Sequence, residues 1–190
     1  MYDKTIGYAL CGSFCTYTKA MAALKRLTEI YRRVIPIFCQ ASWETDSRFG
    51  TAEEHIRRAE ELCGAPALHT IAEVEPIGPK KLLDALVIAP CTGNTLAKLA
   101  HGIADGPVTM AAKSHLRNGR PLLLAVSTND GLAAAAENIG RLLARKHIYF
   151  VPFGQDDPIR KPTSLVANFD LLPDALDAAL SGLQLQPVLV

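Results

Sequence analysis

A chain of 190 residues is long enough for one compact domain and short for two, because natural domains cluster at about 100–200 residues. With 49% hydrophobic and 21% charged residues, the composition excludes an extended disordered or collagen-like protein. Twenty Lys and Arg residues against 19 Asp and Glu residues leave a net charge of +1. This balance predicts neither a nucleic-acid partner nor an anionic membrane surface, and favours small molecules or other proteins as partners.

The N-terminus and the cysteines indicate the compartment. No apolar run approaches the roughly 20 residues that cross a bilayer, and the first residues lead directly into a strand-like segment rather than a signal peptide. The five scattered cysteines favour reduced thiols over a disulfide framework. Cys11 and Cys15 have a C-x3-C spacing, but no second pair or nearby histidine completes a tetrahedral metal site. The sequence therefore predicts a cytoplasmic protein without a metal centre.

In the N-terminal half, apolar runs alternate with helical periodicity. Ile6–Leu10 is an apolar run that predicts a strand, and Tyr17–Tyr31 has apolar residues at helical spacing. A second β-branched run follows at Val34–Cys39. Thr51–Cys63 then predicts a helix, whose first residue lies three positions before a glutamate, the spacing of a capping box.

The same alternation continues to the C-terminus. Pro90 is predicted to stop the third strand, and a proline in the first turn marks the start of a later helix. The predicted strands are Ala85–Ala89, Leu122–Val126 and Ile148–Val151, and the predicted helices are Asn94–Ala100, Pro107–Leu116, Leu132–Arg145 and Pro173–Leu180.

Continuous apolar strands separated by helices predict a parallel sheet that is covered on both faces. We therefore expect a single doubly wound α/β domain over residues 1–190, in which Phe153–Pro162 is an exposed connection and residues 153–190 form a terminal arm. Ligands bind to such sheets beyond the carboxyl ends of the strands. The loops expected there are Cys11–Thr16, Gln40–Gly50, Pro90–Thr95 and Ser127–Gly131.

The loop Pro90–Thr95 carries the strongest chemical signal. Thr92 and Thr95 offer hydroxyl groups, Gly93 exposes its backbone, and Asn94 can cap the helix or donate an amide hydrogen bond. These groups suit an anion or the polar edge of a ring. A helix cap would explain only one of the four residues, so the loop predicts a ligand site.

The other loops give weaker signals. Gly12 and Ser13 could bring backbone N–H groups and a hydroxyl to a phosphate, although a Gly-Ser pair is also a common strand-to-helix turn and lacks the dinucleotide and P-loop patterns. Ser127–Gly131 either contacts a ligand or caps a helix, and Ser42 lies just beyond the second strand. The five histidines have no metal or triad spacing, and we expect them at the surface.

Two segments carry a family resemblance. Gly12-Ser13-Phe14, followed by Tyr17–Ala20, and the run Ala89–Asp105 resemble the flavoprotein superfamily, which includes peptidyl-cysteine and phosphopantothenoylcysteine decarboxylases and flavin prenyltransferases. Within it, the Cys-Thr-Gly-Asn-Thr motif, Gly106–Ser114 and the Ser-Thr-Asn-Asp-Gly loop are similar to the flavoprotein-like subunits of the oxidoreductase that forms dipicolinate in sporulating bacteria. The likeness covers nearly the whole chain.

The resemblance implies a Rossmann-like, flavodoxin-type three-layer sandwich that holds FMN at the edge of the sheet. It also implies a homo-oligomer, a trimer or a multiple of one. No catalytic residue is predicted. The cofactor-binding residues that it implies are Gly12, Ser13 and Phe14 in the first loop, Ser42 after the second strand, Thr92, Gly93, Asn94 and Thr95 after the third, and Ser127 and Thr128 after the fourth.

The resemblance further implies a reaction and a partner. The other polypeptide of that oxidoreductase, here called the dehydrogenase partner, resembles nicotinamide-dependent dehydrogenases and would bring NADP. The pair would oxidise dihydrodipicolinate, a small dicarboxylate, to dipicolinate (pyridine-2,6-dicarboxylate) in the mother-cell cytoplasm. Two alternatives stay open: an FMN-dependent decarboxylase of a cysteine derivative, and a non-catalytic partner protein that has lost its cofactor. Decarboxylation is disfavoured, because Ser127–Asp130 replaces a Pro-Ala-Met-Asn type loop and His55 matches the catalytic histidine only loosely.

Overall fold

Five parallel strands form the centre of the computed structural model, which describes residues 1–190. In spatial order they run β2-β1-β3-β4-β5, and each neighbouring pair is parallel. This is the flavodoxin-like order of a doubly wound sheet, so the predicted fold class is confirmed. The strands are β1 (Tyr2–Leu10), β2 (Tyr31–Phe38), β3 (Ala85–Cys91), β4 (Leu122–Thr128) and β5 (Ile148–Phe150).

Helices cover both faces of this sheet. All seven residues of β3 are buried, because the strand lies in the middle of the sheet under helices on either side. Helices α1 and α8 pack against each other, α3 packs beside α1 and β2, and α4 to α7 form the remaining cover. No helix has the length and apolar composition needed to cross a membrane. The helices are α1 (Tyr17–Ile30), α2 (Gln40–Glu44), α3 (Ala52–Cys63), α4 (Ile71–Val74), α5 (Gly93–His101), α6 (Pro107–Leu116), α7 (Ala136–Leu143) and α8 (Leu172–Leu180).

Several predicted boundaries are wrong. Tyr31 begins β2 instead of ending α1. Pro90 does not stop β3, which continues to Cys91; pairing with β4 shifts register after Ile88 because a proline has no N–H for the ladder. The helix predicted from Leu132 begins four residues later, since the preceding residues form turns held by the backbone carbonyl of Asp130.

The capping box predicted for α3 is confirmed. The Thr51 hydroxyl accepts from the Glu54 N–H at 3.2 Å, and the Glu54 carboxylate accepts from the Thr51 N–H at 2.9 Å. A second capping box, Thr70 with Glu73, begins the short helix α4, which the sequence analysis did not predict. A four-residue helix is too short to show periodicity, so the box was its only signal.

The terminal arm also contains structure that was not predicted. β6 (Phe153–Gly154) and β7 (Leu165–Ala167) form an antiparallel hairpin, so Phe153 lies in a strand and not in an exposed connection. β7 pairs with the end of β4 at Ser127 and Thr128. The hairpin therefore extends over the carboxyl edge of the parallel sheet, where the polar loops meet.

Candidate functional site

Two clefts open at the carboxyl edge of the sheet. The larger cleft, of about 840 Å³, lies between the loops after β1, β3 and β4 and the β6–β7 hairpin. The smaller cleft, of about 610 Å³, lies between α2, α5 and the start of α6. Both volumes are in the range of small-molecule sites. Gly12, Thr92 and Asn94 line both clefts, so the two meet along the loops that the sequence analysis singled out.

The first loop presents free backbone donors. The N–H of Ser13 donates to the Cys11 carbonyl at 2.8 Å, which turns the chain sharply after β1. A single 3-10 turn, Phe14–Thr16, then leads into α1. The N–H groups of Phe14 and Cys15 have no backbone acceptor, and both residues line the larger cleft. The loop can therefore donate hydrogen bonds to an anion, as expected from its position.

The start of α5 presents a second set of donors. Thr92 caps the helix, because its hydroxyl accepts from the Thr95 N–H at 3.3 Å. The N–H groups of Gly93 and Asn94 have no acceptor, and the Asn94 side chain is exposed and bonded to nothing else in the chain. The positive end of the nine-residue α5 thus faces the larger cleft with two free donors and an amide.

Packing within the protein requires glycine at one of two positions at this edge and not at the other. A Cβ on Gly93 would lie 2.7 Å from Thr128 Oγ1, so only glycine lets the β4 loop approach the start of α5. A Cβ on Gly12 would meet no atom nearer than 3.7 Å, which is ordinary contact. The contacts within the protein do not require glycine at position 12, and the residue lines both clefts, where a ligand could approach its backbone.

The end of β4 ties the site together. Ser127 is buried, and its Oγ lies 2.8 Å from Ser13 Oγ and 3.2 Å from Thr16 Oγ1. The Thr128 hydroxyl donates to Asp130. No helix begins at Asn129 or Asp130, so the capping alternative for this loop is wrong. The hydrogen bond between Ser13 and Ser127 holds the first and fourth loops together, although the two residues are 114 positions apart in the sequence.

The structure separates Ser42 from the other predicted residues. Ser42 lies on α2 with no exposed surface and lines neither cleft. Its Oγ lies 3.2 Å from the Sγ of Cys39, which does line the smaller cleft. Any effect of Ser42 on a ligand would therefore pass through Cys39.

Cys39 is a candidate functional residue that the sequence analysis missed. Hydrogen bonds from the Cys11 thiol, from the hydroxyl and N–H of Ser42, and from the Gly12 N–H together lower the pKa of Cys39 to about 6, against the opposing effect of burial. The same interaction with Cys39, together with complete burial, raises the pKa of Cys11 well above its usual value. The signal in the sequence was that each cysteine directly follows a strand.

The larger cleft carries basic side chains without acidic partners. Lys19 and Arg48 line it and form no ion pair, and the Arg48 guanidinium lies 4.9 Å from the ring centre of Phe49. Lys161, on the hairpin, is instead paired with Asp156 at 3.1 Å. The carboxylates of Asp130 and Asp156 also line this cleft, so its suitability for an anionic ligand rests on the two unpaired cations together with the free N–H groups of the loops.

The expectation that all histidines lie at the surface is wrong for His115. It has no exposed surface on α6, its Nε2 donates to the Pro121 carbonyl at 3.0 Å, and burial lowers its pKa to about 4. His55 is half-buried and packs edge-on against Tyr17 with ring centres 4.6 Å apart. Neither histidine lines a cleft.

The comparisons with known proteins agree with this geometry. The sequence model of the flavoprotein family matches residues 1–164, so the chain belongs to the flavoprotein family. It is 46% identical to the dipicolinate synthase B subunit of Bacillus subtilis (strain 168) over 187 residues, which cover 98% of this chain and 94% of that protein. The resemblance identified from the motifs is confirmed.

Solved structures extend the comparison. The crystal structure of the dipicolinate synthase B subunit from Bacillus halodurans C matches with a TM-score of 0.90 and 45% identity, over 98% of this chain and 96% of that one. The FMN-dependent cysteine decarboxylase SpaF matches with a TM-score of 0.64 and 21% identity, over 94% and 95% of the two chains. The second likeness establishes a shared fold only.

Proposed function

We propose that this chain is the flavin-site component of dipicolinate synthase, an oxidoreductase that converts dihydrodipicolinate to dipicolinate, and that it works with a nicotinamide-dependent dehydrogenase partner. The observation that carries the proposal is the 46% identity to a dipicolinate synthase B subunit over 98% of the chain. The structural support is a cleft at the carboxyl edge of the sheet that combines free N–H donors with unpaired cations.

The residues of the larger cleft fit FMN. The free N–H groups of Phe14, Cys15, Gly93 and Asn94 would hold its phosphate, in the way that helix starts hold anions. Gly12 lines this cleft, whose volume of about 840 Å³ leaves room for the group. The remaining proposed contacts are the side chains of Ser13, Phe14, Thr92, Ser127 and Thr128 in the larger cleft. Thr95 would contribute from the adjoining smaller cleft, where Ser42 would act from behind Cys39. FMN bound here would supply a two-electron acceptor at the edge of the sheet.

The reaction asks for positioning more than for covalent chemistry. Conversion of dihydrodipicolinate to dipicolinate removes one hydride and one proton, and the aromatic ring that results makes this loss favourable. The protein must hold a dicarboxylate beside the hydride acceptor. Lys19 and Arg48 are the unpaired cations that would hold its carboxylates at the rim of the larger cleft. The acceptor is this flavin or NADP on the dehydrogenase partner.

Purified proteins test the proposal. NADP-linked formation of dipicolinate should require both polypeptides, and the Lys19→Ala and Arg48→Ala variants should raise the KM for the dicarboxylate about tenfold. Lys146→Ala is the matched control, because Lys146 is exposed and lines neither cleft. If the dehydrogenase partner alone forms dipicolinate at the full rate, the proposal is wrong.

Absorption spectra separate the alternatives. Flavin bands in the purified chain support the flavin-site role. Flavin bands together with release of CO₂ from a carboxylated cysteine derivative, and no dipicolinate formed with the dehydrogenase partner, would instead indicate a decarboxylase. A colourless chain that gains no flavin, yet is needed in the coupled assay, would indicate a partner protein without cofactor.

The assembly and location of the protein are part of the same proposal. We propose a homo-oligomer, a trimer or a multiple of one, that acts in the mother-cell cytoplasm of a sporulating bacterium. Sedimentation of the purified chain measures the first, and a fluorescent fusion followed through sporulation measures the second. A monomer at micromolar concentration, or fluorescence confined to the forespore, would contradict these two statements.

A further inference from the structure

Cysteines end three neighbouring strands at the carboxyl edge of the sheet. Cys39 follows β2, Cys11 follows β1, and Cys91 is the last residue of β3. The parallel register pairs Leu10 with Phe38, so the next residues, Cys11 and Cys39, lie directly opposite each other. The Cys39 N–H donates to the Leu10 carbonyl at 3.0 Å, which holds this register to the end of the strands.

This register suits a disulfide. Neighbouring strands lie about 4.8 Å apart, and opposed residues present their side chains to the same face. That separation is inside the range of about 4.4–6.8 Å between the Cα atoms of a disulfide. The five cysteines are all free thiols in this structure. The pair can therefore be joined without moving either strand far.

A chain of hydroxyl and thiol donors leads to Cys39. The oxygens of Thr92 and Thr95 are 3.1 Å apart, and the Thr95 hydroxyl donates to Cys11 Sγ at 3.3 Å. Cys39, on the neighbouring strand end, raises the pKa of Cys11 and so keeps that thiol protonated. The Ser42 hydroxyl, 3.2 Å from Cys39 Sγ, approaches from the other side. All of these donors favour a thiolate at Cys39.

The two cysteines differ in access. Cys39 is partly exposed and lines the smaller cleft, whereas Cys11 is 1% exposed beneath it. An oxidant that enters the cleft meets Cys39 first. The pKa of about 6 keeps this thiol mostly ionised at neutral pH, and the thiolate is the nucleophilic form. By contrast, burial raises the pKa of Cys63 to about 12.

We propose that Cys39 and Cys11 form a reversible redox pair, in which Cys39 reacts with hydrogen peroxide and Cys11 resolves the product as a disulfide. The Cys39 thiolate attacks one peroxide oxygen, the O–O bond breaks, and sulfenic acid and hydroxide form. The Cys11 thiol then attacks Cys39 Sγ, the S–O bond breaks, and the hydroxyl leaves as water with the Cys11 proton, while the hydroxide from the first step takes up the proton that Cys39 lost on ionisation. Two thiols lose two electrons while one peroxide becomes two waters, and an added dithiol reverses the change.

Peptide mapping of the full-length chain tests the pair. The protein is treated with equimolar hydrogen peroxide, remaining thiols are blocked with iodoacetamide, and tryptic peptides are measured by mass spectrometry. We expect the peptide Val34–Arg48 joined to Thr5–Lys19, and separation of the two after dithiothreitol. Cys11 and Cys15 share the second peptide, so the Cys15→Ser variant is the matched control and should form the same link.

Two variants assign the roles. Cys39→Ser should abolish the link and leave Cys11 reduced. Cys11→Ser should leave Cys39 as a sulfenic acid that dimedone traps. A link that persists in Cys11→Ser, a link that disappears in Cys15→Ser, or no link in the unmodified chain would each overturn the proposal. If the Cys11→Ser variant does not fold, the unmodified chain and the Cys15→Ser variant are enough to show whether the Cys11–Cys39 disulfide forms. The mapping needs neither flavin nor the dehydrogenase partner, so its outcome is independent of the proposed function.

Discussion

At the scale of single residues, the site is defined by which polar groups are already used. Ser127 is bonded to Ser13 and Thr16, and Thr128 is bonded to Asp130, so these hydroxyls mainly hold the loops. The groups that stay free are backbone N–H donors and the Asn94 amide. A ligand would therefore meet donors that have no competing acceptor within the protein, which lowers the cost of binding.

Alanine substitutions at Gly12 and Gly93 should distinguish an effect on ligand binding from an effect on the stability of the fold. Gly12→Ala places a methyl group in ordinary contact with Ala41 and Phe14 at the lining of both clefts, so we expect an unchanged melting temperature and an FMN affinity lower by about tenfold, or 1.4 kcal/mol. Gly93→Ala forces a methyl group against Thr128 and should lower the melting temperature as well. Calorimetry and flavin titration measure both effects. An unchanged affinity in Gly12→Ala would mean that the ligand does not occupy the space beside Gly12.

The Asn94→Leu substitution should weaken ligand binding without unfolding the chain. Asn94 is exposed and makes no hydrogen bond within the protein. Its replacement therefore removes a hydrogen bond to the ligand and none within the protein. We expect FMN binding weaker by about 1–3 kcal/mol. Flavin titration is the measurement, and Asn138→Leu on α7, which lines neither cleft, is the control. Equal affinities of the two variants would exclude Asn94 from the site.

At the scale of elements, strand ends and helix starts determine where chemistry is possible. The carboxyl ends of β1, β2, β3 and β4 meet at one edge because the strands are parallel. Helix α5 begins directly at this edge, so its free N–H groups face the larger cleft. Helix α6 continues away from the edge and holds the buried His115 near Pro121, outside both clefts.

Burial of His115 predicts a loss of stability in acid. Its pKa is about 4 in the folded chain against 6.5 for an exposed histidine, because burial and nearby Arg120 outweigh Asp84 and the Pro121 carbonyl. Between these values the unfolded chain binds more protons, so the free energy of unfolding falls as pH falls. The loss should approach about 3 kcal/mol by pH 4.

Urea unfolding between pH 7 and 4 measures this loss. His115→Gln keeps a donor for Pro121 but does not titrate, so its stability should fall by about 3 kcal/mol less over the same range. The control is His101→Gln, at an exposed position on α5. The same pH dependence in His115→Gln and the unmodified chain would show that another group is responsible.

At the scale of the whole molecule, the C-terminal arm completes the site. The hairpin of β6 and β7 is paired with β4 and brings Asp156, Lys161 and Ser164 to the larger cleft. The last residues hold this hairpin, because the Phe153 N–H donates to the Val188 carbonyl at 3.0 Å and the Val190 N–H donates to the Phe153 carbonyl at 3.1 Å. The final residues therefore support a site built mainly from loops that come much earlier in the chain.

Removal of residues 187–190 should loosen the hairpin without unfolding the sheet. The truncated chain loses both hydrogen bonds to Phe153, so the free energy of local opening near Arg160 becomes smaller. We expect trypsin to cleave after Arg160 several-fold faster, while cleavage after the exposed Lys146 keeps its rate. Gel electrophoresis of timed digests gives both rates. Equal acceleration at the two sites would indicate general destabilisation instead.

Local patterns in the sequence determined the order of strands and helices, and with it the parallel sheet and the edge where ligands bind. They also identified the Pro90–Thr95 loop as the strongest candidate site, because its hydroxyl, amide and glycine residues are adjacent in the sequence. Only the tertiary structure decided that Ser42 is buried, that Ser13 is bonded to Ser127, and that two short strands extend the sheet. Strands of two or three residues have no readable period.

The chemistry of Cys39 also needed the tertiary structure. A thiol pKa depends on the donors around the sulfur, and these come from Cys11, Gly12 and Ser42, of which the first two lie on another strand end. Hydrogen bonding and burial between distant parts of the chain have no local sequence signature. Periodicity therefore identified the edge of the sheet, and packing determined which groups at that edge are free to react.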